Sequence, residues 1–280
     1  MLLQTGSRLA PVLLLALGAC HEKAPSPQRP AAEPPPVATP PATRPRSDDP
    51  AASSRTFSRL SGSLRPAWFL CDGTNRPRIA VVERDEGGST ATLTWVEKRE
   101  GTPPTHQTYA LGEVSAGAGQ RFFPLLQENQ EVGALHAINP GMLPEPSRAL
   151  IPPFVSLVAR KVDLNCRWML GVRVMGFDGR RSVLVTQEAN TLTYRSFDFA
   201  EAAKAQQLRV EGYGHTTPAT QTVQGGTEER TPDGSVFTFR NGAYAYVLRA
   251  GGEASLEVLR DGQSVQRTDL LAWTYAPPAP

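Results

Sequence analysis

The chain lacks the motifs that announce catalysis. It has no G-x-S-x-G turn to expose a serine nucleophile, no H-E-x-x-H pair and no phosphate-cradling glycine loop. Gly117, Gly119 and Gly225-Gly226 are not followed by helix starts, so they read as turns. His106, His136 and His215 are scattered singly, and no His or Cys lies at ligand spacing to another, which argues against a metal site. No apolar run reaches the roughly twenty residues that a helix needs to cross ~30 Å of hydrocarbon. Charge of one sign is also missing. Lys and Arg number 29 against 27 Asp and Glu, interspersed, for a formal net charge of +2. That is not the basic stripe of a nucleic-acid binder. Arg180-Arg181 and Glu228-Glu229 read as solvated turn residues, and no internal repeat recurs at a fixed period. The expectation is therefore no catalytic residue, no cofactor, no metal and no nucleic-acid partner, with an enzyme whose site assembles from distant strands as an alternative.

What is present begins at the N-terminus. Met1 to Ala19 has a short n-region carrying Arg8, an apolar stretch from Leu9 to Leu17, and a small-residue site, Gly18-Ala19, before Cys20. The apolar stretch is half the length of a membrane span and suits a cleaved signal peptide. Leu17-Gly18-Ala19-Cys20 resembles the lipobox of bacterial lipoproteins. That resemblance implies diacylglycerol on the Cys20 thiol, cleavage before Cys20 and an acylated new N-terminus, palmitate included. His21 in place of an aspartate after the cysteine resembles an outer-membrane address. The protein is then lipid-anchored at the outer membrane with its folded part in the periplasm or at the cell surface. One acyl chain holds a protein only marginally, at about 0.8 kcal/mol per buried CH₂, whereas two or three make the attachment stable.

From His21 to about Arg55 the composition changes. The run APSPQRPAAEPPPVATPPATRPRSDDPAASS holds ten of the chain's 26 prolines and almost no large apolar residue. It has too little surface to bury to offset its ordering entropy, so it is expected to be a disordered, extended tether. About thirty-five residues at ~3.1 Å each would reach up to ~100 Å from a membrane.

With Cys20 acylated, Cys71 and Cys166 remain of the three cysteines. An even pair in an exported, oxidising setting favours a disulfide between them. Two buried free thiols or a metal site are the alternatives.

The remaining part reads as mainly β: antiparallel hairpins and a meander forming a small barrel or sandwich, with one short helix. Arg78 to Glu83 and Thr90 to Val96 flank a glycine-bearing turn. Arg181 to Gln187 and Thr191 to Phe197 form a second pair, and Phe154 to Leu164 is read as one strand leading into Cys166. Near the C-terminus, Asn241-Gly242 and Asp261-Gly262 supply the positive φ of type I′ turns within four consecutive antiparallel strands. Phe199 to Leu208 is the expected helix, with Asp198 as its cap and Glu201 completing a capping box. Gln127 to Pro153 is read as a long, proline-punctuated loop. The expected organisation is a signal peptide over 1–19, a lipidated tether over 20–56, a β-rich unit over 57–172 holding Cys71 and Cys166, and a meander with one helix over 173–280. The last two are one domain or two.

Between Trp68 and Trp168 a further pattern appears. Trp68-Phe69-Leu70-Cys71-Asp72-Gly73 is followed by a hairpin and by Tyr109-Ala110-Leu111. Then come Val114-Ser115-Ala116-Gly117-Ala118-Gly119-Gln120-Arg121-Phe122 and a basic segment ending at Cys166 (ARKVDLNC). This resembles the membrane-bound inhibitors of c-type lysozyme, lipoproteins with a small antiparallel β-barrel. The resemblance implies a Cys71–Cys166 disulfide joining the opening strand to the closing one. It also implies a loop that enters the lysozyme cleft, which Gly119, Gln120, Arg121 and Phe122 would form. Ala118 stands where the family has a serine, although Ser115 lies three residues earlier, and the family's later Lys-Gly segment is absent. A plain glycine-rich turn with Arg121 in a surface ion pair is the competing reading of the same residues.

The functional expectation is a non-enzymatic, envelope-anchored lipoprotein that meets an envelope protein or glycan at the end of a stiff spacer. A c-type lysozyme inhibitor is the narrower alternative. Ser115, Gly119, Gln120, Arg121 and Phe122 are the candidate partner-binding residues.

Overall fold

The structure, a computed structural model, describes residues 54–201 and 218–277. The expected signal peptide, Cys20, the expected tether up to residue 53 and most of the expected helix lie outside the described residues. At that helix's start, Asp198 Oδ1 accepts the Ala200 N–H at 2.8 Å, and 199–201 form a helical turn.

The chain opens with a short hairpin, β1 (Arg55–Ser58) and β2 (Arg65–Ala67). Trp68 carries it into β3 (Phe69–Asp72), β4 (Arg78–Arg84), β5 (Thr90–Glu97) and β6 (Thr105–Leu111). There follow β7 (Ser115–Gly117), β8 (Gln120–Gln127), β9 (Gln130–Ile138), β10 (Phe154–Ala159) and β11 (Val162–Asn165). Next are β12 (Val172–Phe177), β13 (Arg181–Glu188), β14 (Thr191–Asp198) and β15 (Gln221–Gln224). Last come β16 (Thr227–Thr231), β17 (Gly234–Asn241), β18 (Tyr244–Gly251), β19 (Ala254–Arg260), β20 (Gln263–Asp269) and β21 (Ala272–Tyr275). All pairings between them are antiparallel.

Three sheets result. Eight strands in the order β11-β10-β9-β8-β6-β5-β4-β3 curl into a near-closed barrel, with β7 pairing onto β8. The two barrel edges meet at an antiparallel bridge, Gly73 to Cys166, beside a Cys71–Cys166 disulfide whose Cα atoms lie 4.7 Å apart. The expected pairing is thus formed, and it staples the first barrel strand to the segment leaving the last. The second sheet, ordered β15-β14-β13-β12-β21-β1-β2, brings the opening hairpin beside the closing strand. The third is the meander β16 to β20, whose last four strands are those expected from the sequence.

Alternation explains how the layers stack. In β12, Val174 points into a core with Phe237, Phe239, Leu248 and Trp273, so the second and third sheets form a sandwich. Met175 and Phe177 point the other way, onto Leu70, Ile79 and Val81 of the barrel wall. A sheet buried on both faces needs apolar or internally paired side chains at every position; β12 and β21 carry no exposed residue, and their polar members Arg173 and Thr274 bond to Glu228 and Thr56. The barrel interior is filled by Phe69, Leu93, Tyr109, Leu125, Leu135, Leu157 and Leu164.

Several expectations need correcting. The segment 154–164 is a hairpin, because Arg160 at φ 54° turns the chain between β10 and β11. The passage 127–153 is largely strand: β9 takes residues 130–138, and only 139–153 is loop, with 3₁₀ turns at Pro140–Met142 and Pro146–Arg148. Gly133 lets β9 pass close to β10; a Cβ there would lie 2.0 Å from the Val158 carbonyl oxygen. The turn between β17 and β18 is centred on Gly242-Ala243, one residue later than expected, with positive φ at Gly242 alone, the signature of a II′ turn, while Asp261-Gly262 has it at both residues, as expected for I′. Glu228 is no solvated turn residue but a member of β16.

Candidate functional site

Ser115, Gly119, Gln120, Arg121 and Phe122 come together on one exposed hairpin. Strand β7 pairs with the start of β8 in the register Ser115 to Phe122, Ala116 to Arg121 and Gly117 to Gln120. The two-residue turn between them, Ala118 at φ 48° and Gly119 at φ 76°, is left-handed at both positions, as a I′ hairpin requires. Glycine takes that conformation freely, whereas alanine there costs roughly 1–2 kcal/mol. The turn is held from one side only. Asn139 N–H donates to the Gly119 carbonyl at 2.6 Å, and the Met142 side chain lies over Gly119. Around this hairpin stand three large apolar side chains open to solvent: Val114 at 44%, Phe122 at 37% and Met142 at 69% exposure.

The hairpin has two chemically different sides. On the outward side, Phe122 lies flat on His136, ring centroids 4.5 Å apart and planes 10° from parallel. His136 Nδ1 and Ser156 Oγ are 3.1 Å apart, while Nε2 is buried without a hydrogen-bond partner. Burial holds this imidazole below its ordinary pKa. A serine beside a histidine is a nucleophile–base pair, but the histidine's register neighbours on β8 and β10 supply no carboxylate to orient the ring.

On the inward side, Arg121 has the same parity as Phe123 and Leu125 and faces the barrel mouth. The groove there, about 360 Å³, has a floor of Trp68, Phe123, Phe154 and Ala137, with Asn139 and Pro140 on its rim. Trp68 meets Phe123 and Phe154 edge-on at 5.0 and 4.9 Å. Arg121 forms no ion pair among the described residues, contrary to the surface-pair reading, and no carboxylate lines the groove. One cation lining a groove with an aromatic floor at a barrel mouth suits recognition by contact.

Sequence reasoning missed the groove because Trp68, Asn139 and Phe154 converge on it from three distant segments. It also missed two buried charge clusters. Beside the disulfide, the buried Asp72 carboxylate pairs with Lys98 and accepts Arg167 Nε at 2.8 Å. Lys98 Nζ also donates to the Gly73 carbonyl at 2.7 Å, and the Arg167 guanidinium lies 3.6 Å from the Phe197 ring centroid. Between the second and third sheets, buried Arg173 forks onto Glu228 at 2.7 and 3.0 Å, and Ser235 donates to the same carboxylate at 2.6 Å. Each of those charged side chains has an oppositely charged partner within the protein, although Arg167 Nη2 is buried without a hydrogen bond, so both clusters read as joints between layers. Among the described residues, no group of three or more His, Cys, Asp or Glu is placed to hold a metal ion, and no helix is long and apolar enough to cross a membrane.

No protein-family model and no curated protein matches this chain. Its functional reading rests on the barrel, the hairpin and the sequence motifs themselves.

Proposed function

We propose that this protein is a lipid-anchored, non-enzymatic binding protein of the cell envelope, and that its barrel meets a protein or glycan partner through the hairpin Ser115–Phe122. The observation that carries the reading is the hairpin itself. It is a two-residue I′ turn on the barrel rim, with exposed apolar side chains, an arginine that forms no ion pair among the described residues, and an aromatic groove beneath. Aromatic and arginine side chains are enriched where binding energy concentrates. Anchoring follows from the lipobox motif at Leu17–Cys20, and the proline-rich tether gives the barrel reach from a membrane.

The test is affinity capture from envelope extracts with the full chain and with an Arg121→Ala/Phe122→Ala variant. Both side chains are exposed, so the variant's unfolding midpoint is expected to match that of the parent. A component retained by the parent and lost by the variant supports the reading. Identical retention by both refutes it.

A second, narrower reading is inhibition of c-type lysozyme. A near-closed eight-stranded barrel with a disulfide from its opening strand to its closing end is the architecture that the sequence resemblance implies, and it favours this reading. Full chain at micromolar concentration should then slow lysozyme, and Arg121→Ala should relieve the inhibition. No inhibition at that concentration disposes of it.

A further inference from the structure

Strand register lines up Ser115, Phe122, His136, Ser156 and Asn165 as one row across β7 to β11 on the outer barrel wall. On the same wall, β8 brings Gln120 and Pro124 beside His136, β9 brings Ala134 and Ile138, and β10 brings Val158. None of them is charged, in a chain where charged residues make up 20%. Strand β7 adds no titratable group, and the one carboxylate on β11 is Asp163, in register with Val158. His136 is thus the titratable group at the centre of an uncharged patch in which Val158 and Phe122 are open to solvent.

A neutral imidazole tolerates this setting. In the tautomer whose Nδ1–H donates to Ser156, only a lone pair on Nε2 goes unfilled, which is a modest loss. An imidazolium does not, because it places a charged N–H at the buried Nε2, which has no acceptor among the described residues. The ring face of Phe122 attracts a cation, but that attraction is weaker than the hydration a buried Nε2–H gives up. That balance agrees with the lowered imidazole pKa. Water can reach Nε2 only if a covering group moves. Phe122 is half exposed, lies flat on the ring, and belongs to the hairpin.

We propose that His136 and Phe122 form a proton-sensitive latch: the neutral stack holds the hairpin in its docking shape, and protonation of His136 lifts Phe122 and weakens docking. The consequence for docking rests on the function proposed above, whereas the latch itself does not. The closed hairpin binds fewer protons than the open one. Its stability is therefore intact above an ordinary imidazole pKa of about 6.5 and is lost as pH falls below that value.

Hydrogen exchange of the full chain, corrected for intrinsic rates, tests this between about pH 7.5 and 5. Amides of 115–122 should lose protection about tenfold relative to those of the meander β17–β20, and His136→Gln should abolish that pH-dependent loss. Unchanged protection in the parent, or the same loss in His136→Gln, overturns the latch. Should His136→Gln fail to fold, Phe122→Ala decides. Without the stack the hairpin should be poorly protected at both pH values, and a persisting pH-dependent loss overturns the proposal. Capture at neutral pH with Arg121→Ala, which leaves the Phe122–His136 stack in place, separately reports on docking, so the two failures are distinguishable.

Discussion

Replacing Asp72 with asparagine should be among the most damaging single substitutions in the protein. The carboxylate sits between two cations that are themselves buried, Lys98 and Arg167, and Arg167 reaches from the barrel onto Phe197 of the second sheet. Asparagine keeps the shape and one acceptor but removes the charge, leaving two buried cations without an anion. Breaking a buried ion pair from one side costs about 3–5 kcal/mol. In a domain of this size each kcal/mol lowers Tm by about 2–4 °C, so the midpoint should fall by roughly 10 °C. Lys98→Met is the informative contrast. It leaves Asp72 and Arg167 as a matched pair and gives up one hydrogen bond to Gly73, worth about 1 kcal/mol. Burial pulls the Lys98 ammonium below its ordinary pKa, the attraction of Asp72 only partly offsets this, and Arg167 adds to the lowering. Lys98 is therefore the strained member of the trio, and removing its charge returns part of the loss. Burial pushes the Asp72 carboxyl up, but Lys98 and Arg167 together outweigh that and hold it below the ordinary carboxylate range. The stability it contributes is present above that range and disappears as pH falls through its depressed value, so Asp72→Asn should flatten the acid limb of the stability profile. Urea unfolding followed by near-ultraviolet and far-ultraviolet circular dichroism measures all three proteins. A loss under about 1 kcal/mol for Asp72→Asn, or an equal loss for Lys98→Met, would refute the reasoning.

Two further outcomes follow from the sequence and the barrel. Opening the Cys71–Cys166 disulfide, which spans 95 residues, should lower stability by up to about 4–5 kcal/mol in the chain-entropy picture; equal urea midpoints for the parent and a Cys71→Ser/Cys166→Ser variant would contradict this. Intact-mass analysis of protein from its native host should show loss of residues 1–19 and a diacylglycerol adduct on Cys20, and an unmodified Cys20 thiol would remove the anchor.

Local β structure was legible where polarity alternated between turn residues. The pair 78–83 and 90–96, the pair 181–187 and 191–197, and the meander all appear where expected. Strand β9 was hidden because Gly133 and His136 break its apolar pattern, and both are set by neighbours distant in sequence: the Val158 backbone and the Phe122 ring. The turn after β10 was hidden because Arg160 and Lys161 carry no turn signature, yet Arg160 adopts positive φ. Barrel closure depends on Gly73 meeting Cys166, a contact no local pattern encodes. Asp72-Gly73 looks like a turn and Lys98-Arg99-Glu100 like a solvated run, so the buried trio had no sequence signal apart from its adjacency to the cysteines. The hairpin residues were found through the resemblance of Ser115–Phe122 to the loop of the lysozyme inhibitors, while the groove beneath them required the fold.

The most direct test of the docking account is site-specific photo-crosslinking in the intact envelope. A photoreactive residue in place of Gln120, at the exposed hairpin turn, should give a discrete adduct. The same residue in place of Val265, which is 58% exposed on the edge strand β20, should give none. An adduct at Val265 with none at Gln120 would place the contact surface on the far sheet and contradict the account.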